Sequence, residues 1–331
     1  MKTVVIDRPM GAEELTVKEL PNLQPPPGRL TVDVVYAGVG YVDVLLRRGD
    51  LGELLPFPVV PGLEVSGYVR AIGEGVQGFR VGQPVAAMTL TELGGYASVA
   101  VTRPELTIPL EGPLAGLDLC TAAASIVNLT TACMALGQVA RMRPGDHVLV
   151  HGAAGGLGSF LGQLARHLGA GRVYGTVGGA QKVELAASLG YDELFLRASF
   201  AEELRRKEGF RGLDLVLDPV GGEMRRASQE LLRPLGQLVL LGNASGAGDV
   251  PQSMTEAWLA NRSLIGFNIG GYSEYASSEV GEAAKAALGL LADGVIRSEV
   301  FGVYPLEKAS EAHELLEGKS TVGKLVLQIS G

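Results

Sequence analysis

A short run of glycines has the residue types and spacing to bind a phosphate group. It reads Gly152-Ala-Ala-Gly155-Gly156-Leu-Gly158. Glycine allows a tight turn and lets the backbone approach an anion closely. A helix that begins at such a turn also offers unpaired N–H groups to the anion. The spacing differs from the plain G-x-G-x-x-G pattern, so the run indicates a dinucleotide site only if a strand precedes it and a helix follows.

The flanking residues predict that strand and that helix. The apolar run Val148-Leu-Val150 suits a buried parallel strand. After the turn, apolar residues from Phe160 to Leu168 recur at helical spacing, and Gly169 is a plausible helix stop. Strand, glycine turn and helix together predict a dinucleotide-binding unit. An ordinary glycine turn in front of a core helix is the alternative.

The two halves of the chain differ in the elements that they predict. Residues 1–120 contain short β-rich runs separated by Pro and Gly, at 3–6, 30–36, 65–72, 84–88 and 97–101. Such runs without regular helices predict a mainly antiparallel, barrel-like domain. Beyond a helical region at 120–138, strands and helices alternate. The strands are predicted at 148–150, 172–177, 194–196, 213–217, 237–241 and 264–269, which indicates a doubly wound parallel sheet.

Predicted helices in this second half include 181–189, 200–208 and a segment that ends at Leu232. The tail contains a helix at 278–293 and a final strand at 323–329. The apolar alternation of that strand could return it to the N-terminal domain.

Length and charge exclude several classes of protein. A chain of 331 residues suggests two domains, at roughly 150 residues each. Its net charge of −8 argues against binding to nucleic acid or to an anionic membrane. The N-terminus has acids where a signal peptide needs an apolar core, so we expect a cytoplasmic protein. Cys120 and Cys133 are expected to be free thiols.

The second strand of the alternating half, 172–177, ends without an acidic residue. In a dinucleotide-binding fold an acid at this point hydrogen-bonds the adenosine ribose and selects NAD. Here Gly178 and Gly179 follow the strand, and Lys182 comes soon after. Nothing there repels a 2′-phosphate, and Lys182 and Arg197 could attract one. These residues predict NADPH, although Lys182 could instead be a solvated lysine on a helix face.

Runs along the whole chain resemble one family. They are AGVGYVDVLLRRGD (37–50), PFPVVPGLEVSGYVRAIGEGVQGFRVGQPV (56–85), GGYASVAV (94–101), NLTTACMAL (128–136), HGAAGGLGS (151–159), LDLVLDPVGG (213–222), GQLVLLGNASG (236–246) and GKLVL (323–327). The chain resembles the medium-chain dehydrogenase/reductase superfamily, and within it the zinc-free quinone oxidoreductases related to zeta-crystallin.

The resemblance implies an α/β fold of two domains. A GroES-like, mainly antiparallel β-barrel domain would span 1–120 and be completed by 271–331. A Rossmann domain with a doubly wound parallel sheet would span 121–270 and bind the cofactor. The resemblance also implies a homodimer that pairs through the edge strand 264–269 of the Rossmann sheet.

The resemblance allows a position-by-position search for zinc ligands. Zinc alcohol dehydrogenases carry Cys and His ligands where this chain has Gly40 and Leu63. The four-cysteine structural lobe is replaced by the short TLTELGG (89–95). Two distant cysteines and four histidines form no tetrahedral ligand pattern, so we expect no metal.

The resemblance also assigns residues to the cofactor. The glycine turn would contact the pyrophosphate, and further residues would line the 2′-phosphate and the nicotinamide. In chain order the cofactor-binding residues are expected to be Thr130, Ala154, Gly155, Gly156, Leu157, Gly158, Thr176, Gly178, Gly179, Lys182, Arg197, Gly242, Asn243, Phe267 and Ile269.

The acceptor is expected to enter an apolar interdomain cleft beside Gly40, Tyr41, Leu45 and Leu63. The family usually has an Asn beside the nicotinamide where this chain has Gly40. Tyr41 could offer its hydroxyl to the substrate as the catalytic group, or it could pack on the cleft wall. Many relatives also place a Tyr at the position of Arg197.

These residues predict an oxidoreductase. Hydride transfer requires alignment and exclusion of water more than it requires a metal. An alcohol would need a base or zinc to lose its hydroxyl proton. We therefore expect an NADPH-dependent reductase of quinones or α,β-unsaturated carbonyls. The alternatives are an enoyl-thioester reductase of the same superfamily and a non-catalytic NADPH-binding protein.

Overall fold

The computed structural model describes residues 1–52, 56–185, 187–248, 250–318 and 320–330. They form two compact units, Met1–Thr130 with Ile269–Gly331, and Thr131–Asn268. The first unit continues to Thr130, whereas the change in composition suggested a boundary at 120. The helix that starts at Leu119 is anchored to strands of the first unit. Ser66 Oγ donates to Leu119 O, and the Val127 N–H donates to Glu64 Oε2.

Fifteen strands lie in the described part of the chain. In chain order they are β1 Lys2–Val4, β2 Val17–Glu19, β3 Leu30–Val39, β4 Glu64–Ile72, β5 Pro84–Met88, β6 Val99–Thr102, β7 Thr107–Pro109, β8 His147–His151, β9 Arg172–Val177, β10 Glu193–Leu196, β11 Leu213–Asp218, β12 Leu232–Leu240, β13 Ser263–Gly266, β14 Val300–Pro305 and β15 Lys324–Gln328.

Nine α-helices accompany these strands within the same described ranges. They are α1 Tyr41–Arg48, α2 Leu119–Met134, α3 Gly156–His167, α4 Phe200–Arg206, α5 Met224–Leu231, α6 Met254–Leu259, α7 Ile269–Tyr275, α8 Ser277–Ala292 and α9 Ala309–Glu317. A π-helical turn, Ala135–Val139, continues α2.

The second unit is a doubly wound parallel sheet, as the alternation predicted. Its six strands are parallel and lie in the order β10-β9-β8-β11-β12-β13. The order reverses between β8 and β11, and in such sheets ligands bind at the carboxyl ends of the strands beside the reversal. The core around Leu149, Val216 and Leu238 covers one face of the sheet. Val150, Leu217 and Val239 point to the other face and are also buried, as expected for a parallel sheet.

The first unit is built on a seven-stranded, mainly antiparallel sheet. Its order is β14-β15-β3-β4-β5-β7, and β6 pairs with β3. Only β14 and β15 are parallel neighbours among its described strands. The final strand does return to this unit, where Leu325 pairs with Val39. A core that includes Val34, Val65 and Leu327 packs beneath it.

Two predicted elements differ in the structure. The segment 181–189 was predicted as one helix; the structure has two short 3₁₀ helices, Ala180–Leu185 and Ala187–Leu189, while Ala186 lies outside the described residues. The N–H of Lys182 donates to Gly179 O, an i→i+3 bond that tightens the turn. The strand predicted at 264–269 ends at Gly266, because pairing with β12 stops there and Ile269 already begins α7.

One helix is long and apolar enough to cross a membrane by length and composition alone. It spans Leu119–Val139, and 72% of its most apolar window is buried inside the protein. Burial of this extent is typical of a core helix.

Candidate active site

The glycine turn joins β8 to α3 in the second unit, as the sequence predicted. Gly155 is the N-cap of α3, which begins at Gly156, so Leu157 and Gly158 lie in its first turn. A Cβ on Gly158 would lie 2.2 Å from Gly152 O. Only glycine therefore lets the helix start this close to the strand. N–H groups in the first turn of an α-helix have no partner within the helix, and such groups can bind an anion.

Two cations lie near each other beyond the ends of β9 and β10. Lys182 is 8% exposed, and its pKa is lowered by burial and by the neighbouring charge of Arg197. Arg197 follows β10 directly, and its Nε is buried without a hydrogen-bond partner. Gly178 leaves open space where a side chain would project. A buried guanidinium N–H without a partner beside a second cation fits a dianionic ligand such as a phosphate monoester.

Thr176 is held by a buried histidine. His151 Nδ1 lies 2.9 Å from Thr176 Oγ1, and its Nε2 lies 2.7 Å from Ser228 Oγ. Ser228 already donates to Met224 O, so it must accept from Nε2–H. Burial lowers the pKa of His151 to about 4, so the imidazole is neutral at pH 7. Its proton is then on Nε2, and Thr176 donates to Nδ1.

An ion pair connects the loops that follow β11 and β12. Asp218 Oδ1 accepts the N–H groups of Val220 and Gly221, and Oδ2 lies 3.0 Å from Arg225 Nε. Arg225 Nη2 donates in turn to Gly242 O at 2.6 Å. Gly242, assigned to the nicotinamide, is thus fixed by a charged bridge that the sequence analysis missed.

The remaining cofactor residues lie in several elements. Ala154 is buried in the glycine turn. Thr130 Oγ1 donates to Ile126 O within α2, and Asn243 Nδ2 donates to Ala247 O within its own loop. Phe267 belongs to the second unit, whereas Ile269 belongs to the first.

The first unit contains a buried carboxylate that connects two glycine segments. Asp43 is 1% exposed; its Oδ2 accepts the N–H of Gly40 and its Oδ1 accepts the N–H of Gly62, both at 2.8 Å. The Tyr96 hydroxyl lies 3.4 Å from Asp43 Oδ2 and 3.1 Å from His313 Nε2. Burial raises the pKa of Asp43 to about 6 and lowers that of His313 to about 3. Asp43 therefore joins the backbone of Gly40, the position where the family has its Asn, to the backbone of Gly62.

A second buried pair joins the first residues of two strands. Lys324 Nζ of β15 lies 2.5 Å from Glu64 Oε1 of β4, with side-chain exposures of 5% and 2%. Glu64 Oε2 also accepts the N–H of Val127 in α2. The run GKLVL predicted the strand but not this ion pair. A lysine within an otherwise apolar strand was the feature of the sequence that could have indicated a buried charged partner.

Three of the four predicted substrate residues lie in α1 or at its start, in the first unit. Gly40 is the N-cap of the helix and Tyr41 its first residue. Leu45, one turn further, is 9% exposed, so its side chain mostly packs in the core. Leu63 is partly buried against the core of this unit. The described residues bring no three His, Cys, Asp or Glu side chains together as possible metal ligands.

Comparison with known proteins places the chain in a family. Residues 26–112 match the alcohol dehydrogenase GroES-like domain, and residues 156–286 match the family described as zinc-binding dehydrogenases. A 2-haloacrylate reductase from Burkholderia sp. is 33% identical over 329 residues, which cover 98% of this chain and 97% of the relative. The chain is a medium-chain dehydrogenase/reductase.

Other members of the medium-chain dehydrogenase/reductase family are similar over nearly the whole chain. The synaptic vesicle membrane protein VAT-1 homolog of Rattus norvegicus is 31% identical over 342 residues, covering 96% of this chain and 81% of the relative. The crystal structure of Escherichia coli quinone oxidoreductase complexed with NADPH superposes with a TM-score of 0.91 at 28% identity, covering 99% and 100% of the two chains. The resemblance drawn from the sequence motifs, the two-domain α/β fold and the assignment to the oxidoreductases are thereby confirmed.

Proposed function

We propose that this medium-chain reductase uses NADPH to reduce quinones or α,β-unsaturated carbonyl compounds by direct hydride transfer. The proposal that the cofactor is NADPH rests on the pair of cations beyond β9 and β10. Arg197 Nε is buried without a partner, and the charge of Arg197 acts on Lys182. β9 ends in Val177 and is followed by two glycines, so no carboxylate stands at the strand end to repel the 2′-phosphate.

Each part of the proposed cofactor has residues in the second unit that fit it. The first turn of α3 would bind the pyrophosphate through N–H groups, and Lys182 with Arg197 would bind the 2′-phosphate. Gly242, fixed by Arg225, would border the nicotinamide. When bound, the cofactor supplies a hydride. The protein contributes orientation, exclusion of water and charges that are already in place.

The acceptor is proposed to bind against Gly40 and Tyr41 in the first unit. The relatives named above include a quinone oxidoreductase and a reductase of a 2-haloacrylate. A quinone and a 2-haloacrylate each contain an electron-poor C=C bond that is conjugated to a carbonyl or carboxylate group. Such acceptors take a hydride without a metal, which agrees with Gly40 and Leu63 at the positions of the family's zinc ligands.

An NADPH-oxidation screen tests the proposed activity. Purified protein is assayed with simple quinones, alkenals, enones and enoyl thioesters. Turnover of quinones or enones is expected. Turnover of enoyl thioesters alone would replace the proposal with an enoyl-thioester reductase, and tight NADPH binding without turnover of any acceptor would favour a binding protein.

The cofactor preference is tested with the Lys182→Met and Arg197→Met variants. Each loses a charge-assisted bond to the 2′-phosphate, so NADPH should bind about 10- to 100-fold more weakly. NADH has no such phosphate, and its affinity should remain close to that of the parent protein. Equal efficiency of NADPH and NADH with the parent protein would overturn the role given to the two cations.

We also propose a cytoplasmic homodimer that pairs through the second unit. β13 is an edge strand, bonded only to β12 within the described sheet. Large apolar side chains near it are exposed: Leu235 at 81%, Met254 at 89%, Trp258 at 75% and Leu259 at 67%. An apolar surface of this kind next to an open strand edge favours association with a second copy. Two free cysteines suit a reducing compartment.

A further inference from the structure

The backbone conformation at Gly40 does not require a glycine. Its φ of −104° and ψ of 155° are extended values open to any residue. A Cβ there would meet Asp43 Oδ2 at 3.5 Å and Lys324 Nζ at 3.7 Å, which are ordinary contacts. Neither strain nor crowding accounts for the glycine. What the glycine provides is empty space directly beside two polar side chains.

The two groups that border this space differ in what they can still bind. Both oxygens of Asp43 already accept backbone N–H groups, from Gly40 and from Gly62. Lys324 is a cation with three N–H donors, and its ion pair within the described residues is with Glu64. The space beside Gly40 therefore offers a hydrogen-bond donor with a positive charge, and it suits an oxygen that carries negative charge.

We propose that Gly40 opens a subsite for the carbonyl oxygen of the acceptor, and that Lys324 is the catalytic residue that binds this oxygen. The inference rests on the proposed function, which places the acceptor at Gly40. Beyond the proposed function, it names Lys324 as the group that polarises the acceptor and the carbonyl oxygen as the part of the acceptor that the protein binds. In this chain, which has Gly40 where the family has an Asn, the buried lysine of β15 is the donor next to that position.

Reduction of an enone generates negative charge at this oxygen. Two electrons enter as hydride and form a C–H bond at the β-carbon. The π pair of the C=C bond becomes a new double bond between the α-carbon and the carbonyl carbon, and the π pair of the carbonyl bond moves to its oxygen as an enolate. A proton from solvent at the α-carbon completes the product. A preorganised N–H donor stabilises charge at the point where it develops. A quinone needs this help less, because its ring delocalises the charge.

Glu64 sets the strength of the proposed donor. Its carboxylate keeps Lys324 in position but also offsets the positive charge. Glu64→Gln keeps an oxygen for the Val127 N–H and leaves Lys324 with its full charge. The double variant Glu64→Gln/Lys324→Met removes both charges, so no unpaired ion is left buried. The two variants should therefore change the subsite in opposite directions.

Binding of 4-nitrophenol, a planar phenol whose ionised form absorbs at a different wavelength, tests the proposal without turnover. With NADP⁺ present, the parent protein should bind it with a larger ionised fraction than free 4-nitrophenol has at the same pH. Glu64→Gln should raise that fraction, and Glu64→Gln/Lys324→Met should lower it. An ionised fraction that is the same in all three proteins would overturn the proposal.

Kinetics separate this role from a structural one. In the double variant kcat for an enone should fall by about 100-fold, with a smaller loss for a quinone and an unchanged Kd for NADPH. Gly40→Ala, which adds a methyl group in the subsite, should lower kcat/KM for the enone by about 10-fold. Gly116→Ala is the matched control, because its added Cβ meets nothing within 4 Å on the surface of the same unit.

Other outcomes count against the inference. Loss of NADPH affinity in parallel with activity would mean that Lys324 serves the cofactor, and equal losses for quinone and enone would mean a structural ion pair. If the parent protein reduces neither class of acceptor, it is the proposed function that fails. The ionised fraction of bound 4-nitrophenol would still report on Lys324.

Discussion

At the scale of single residues, glycine serves two different purposes in this chain. At Gly158 the helix lies so close to the preceding turn that a Cβ would overlap Gly152 O. At Gly40 a Cβ would fit, and the missing side chain leaves room for a ligand. The same residue type thus allows close packing at one site and open space at the other.

Gly158→Ala tests the first of these purposes. The methyl group must displace backbone atoms, so we expect a loss of about 1–3 kcal/mol in the free energy of unfolding and weaker NADPH binding. Urea unfolding and cofactor fluorescence measure the two effects. Gly137→Ala adds the same methyl group where nothing lies within 4 Å. A Gly158→Ala protein as stable as Gly137→Ala would contradict this account.

His151 is expected to make stability depend on pH. Its pKa is about 4 in the folded protein, against an ordinary value of 6.5. Between these pH values the unfolded chain holds more protons, so the free energy of unfolding falls as the pH falls. The contribution of His151 amounts to about 3 kcal/mol over this window.

The measurement compares the parent protein with His151→Gln across pH 7 to 4. His313 acts in the same direction and Asp43, whose pKa is raised to about 6, acts in the opposite one. Both are common to the two proteins, so the difference between their pH profiles isolates His151. Parallel profiles would show that His151 does not resist protonation.

At the scale of elements, charged side chains fix the loops that carry the site. Asp218 and Arg225 join the loop after β11 to Gly242 after β12. In the first unit, Asp43 joins the start of α1 to Gly62 before β4. The strands end in ordinary turns, and these hydrogen bonds hold the turns in one geometry.

Arg225→Met should destabilise the second unit by about 3 kcal/mol, because it leaves the fully buried Asp218 without its cation. Asp218→Asn/Arg225→Met should recover part of this loss, since no charge remains buried. Urea unfolding checks both. Arg205→Met breaks an exposed pair with Glu230 and is expected to change little. If Arg225→Met and Arg205→Met lowered the free energy of unfolding equally, the buried ion pair of Arg225 with Asp218 would not have the stabilising role given to it here.

At the scale of the whole molecule, the exposed apolar surface beside β13 predicts association of two copies. Static light scattering should give the mass of a dimer for the parent protein. Trp258→Glu/Leu259→Glu places two charges on this surface and should give monomers. Tyr275→Glu changes a side chain of the first unit that is 90% exposed, and it should leave the dimer intact. A parent protein that is monomeric at micromolar concentration would overturn the proposed dimer.

The strand-turn-helix unit, the parallel alternation and the absence of an acid after β9 were predictable, because each is a local pattern of glycine, apolar and charged residues. The end of the strand at 264–269 and the type of helix at 181–189 were not, because strand pairing and the type of helical turn depend on neighbouring elements.

Only the tertiary structure paired Lys324 with Glu64, Arg225 with Asp218 and His313 with Tyr96. The partners of the first and third pairs are far apart in the chain, and folding brings them together. Burial then shifts the pKa of Asp43 and of His151, because removing water disfavours the charged form of each. The spacing of residues in the sequence does not predict that burial. The polar groups proposed to act at Gly40 could therefore be identified only from the three-dimensional structure.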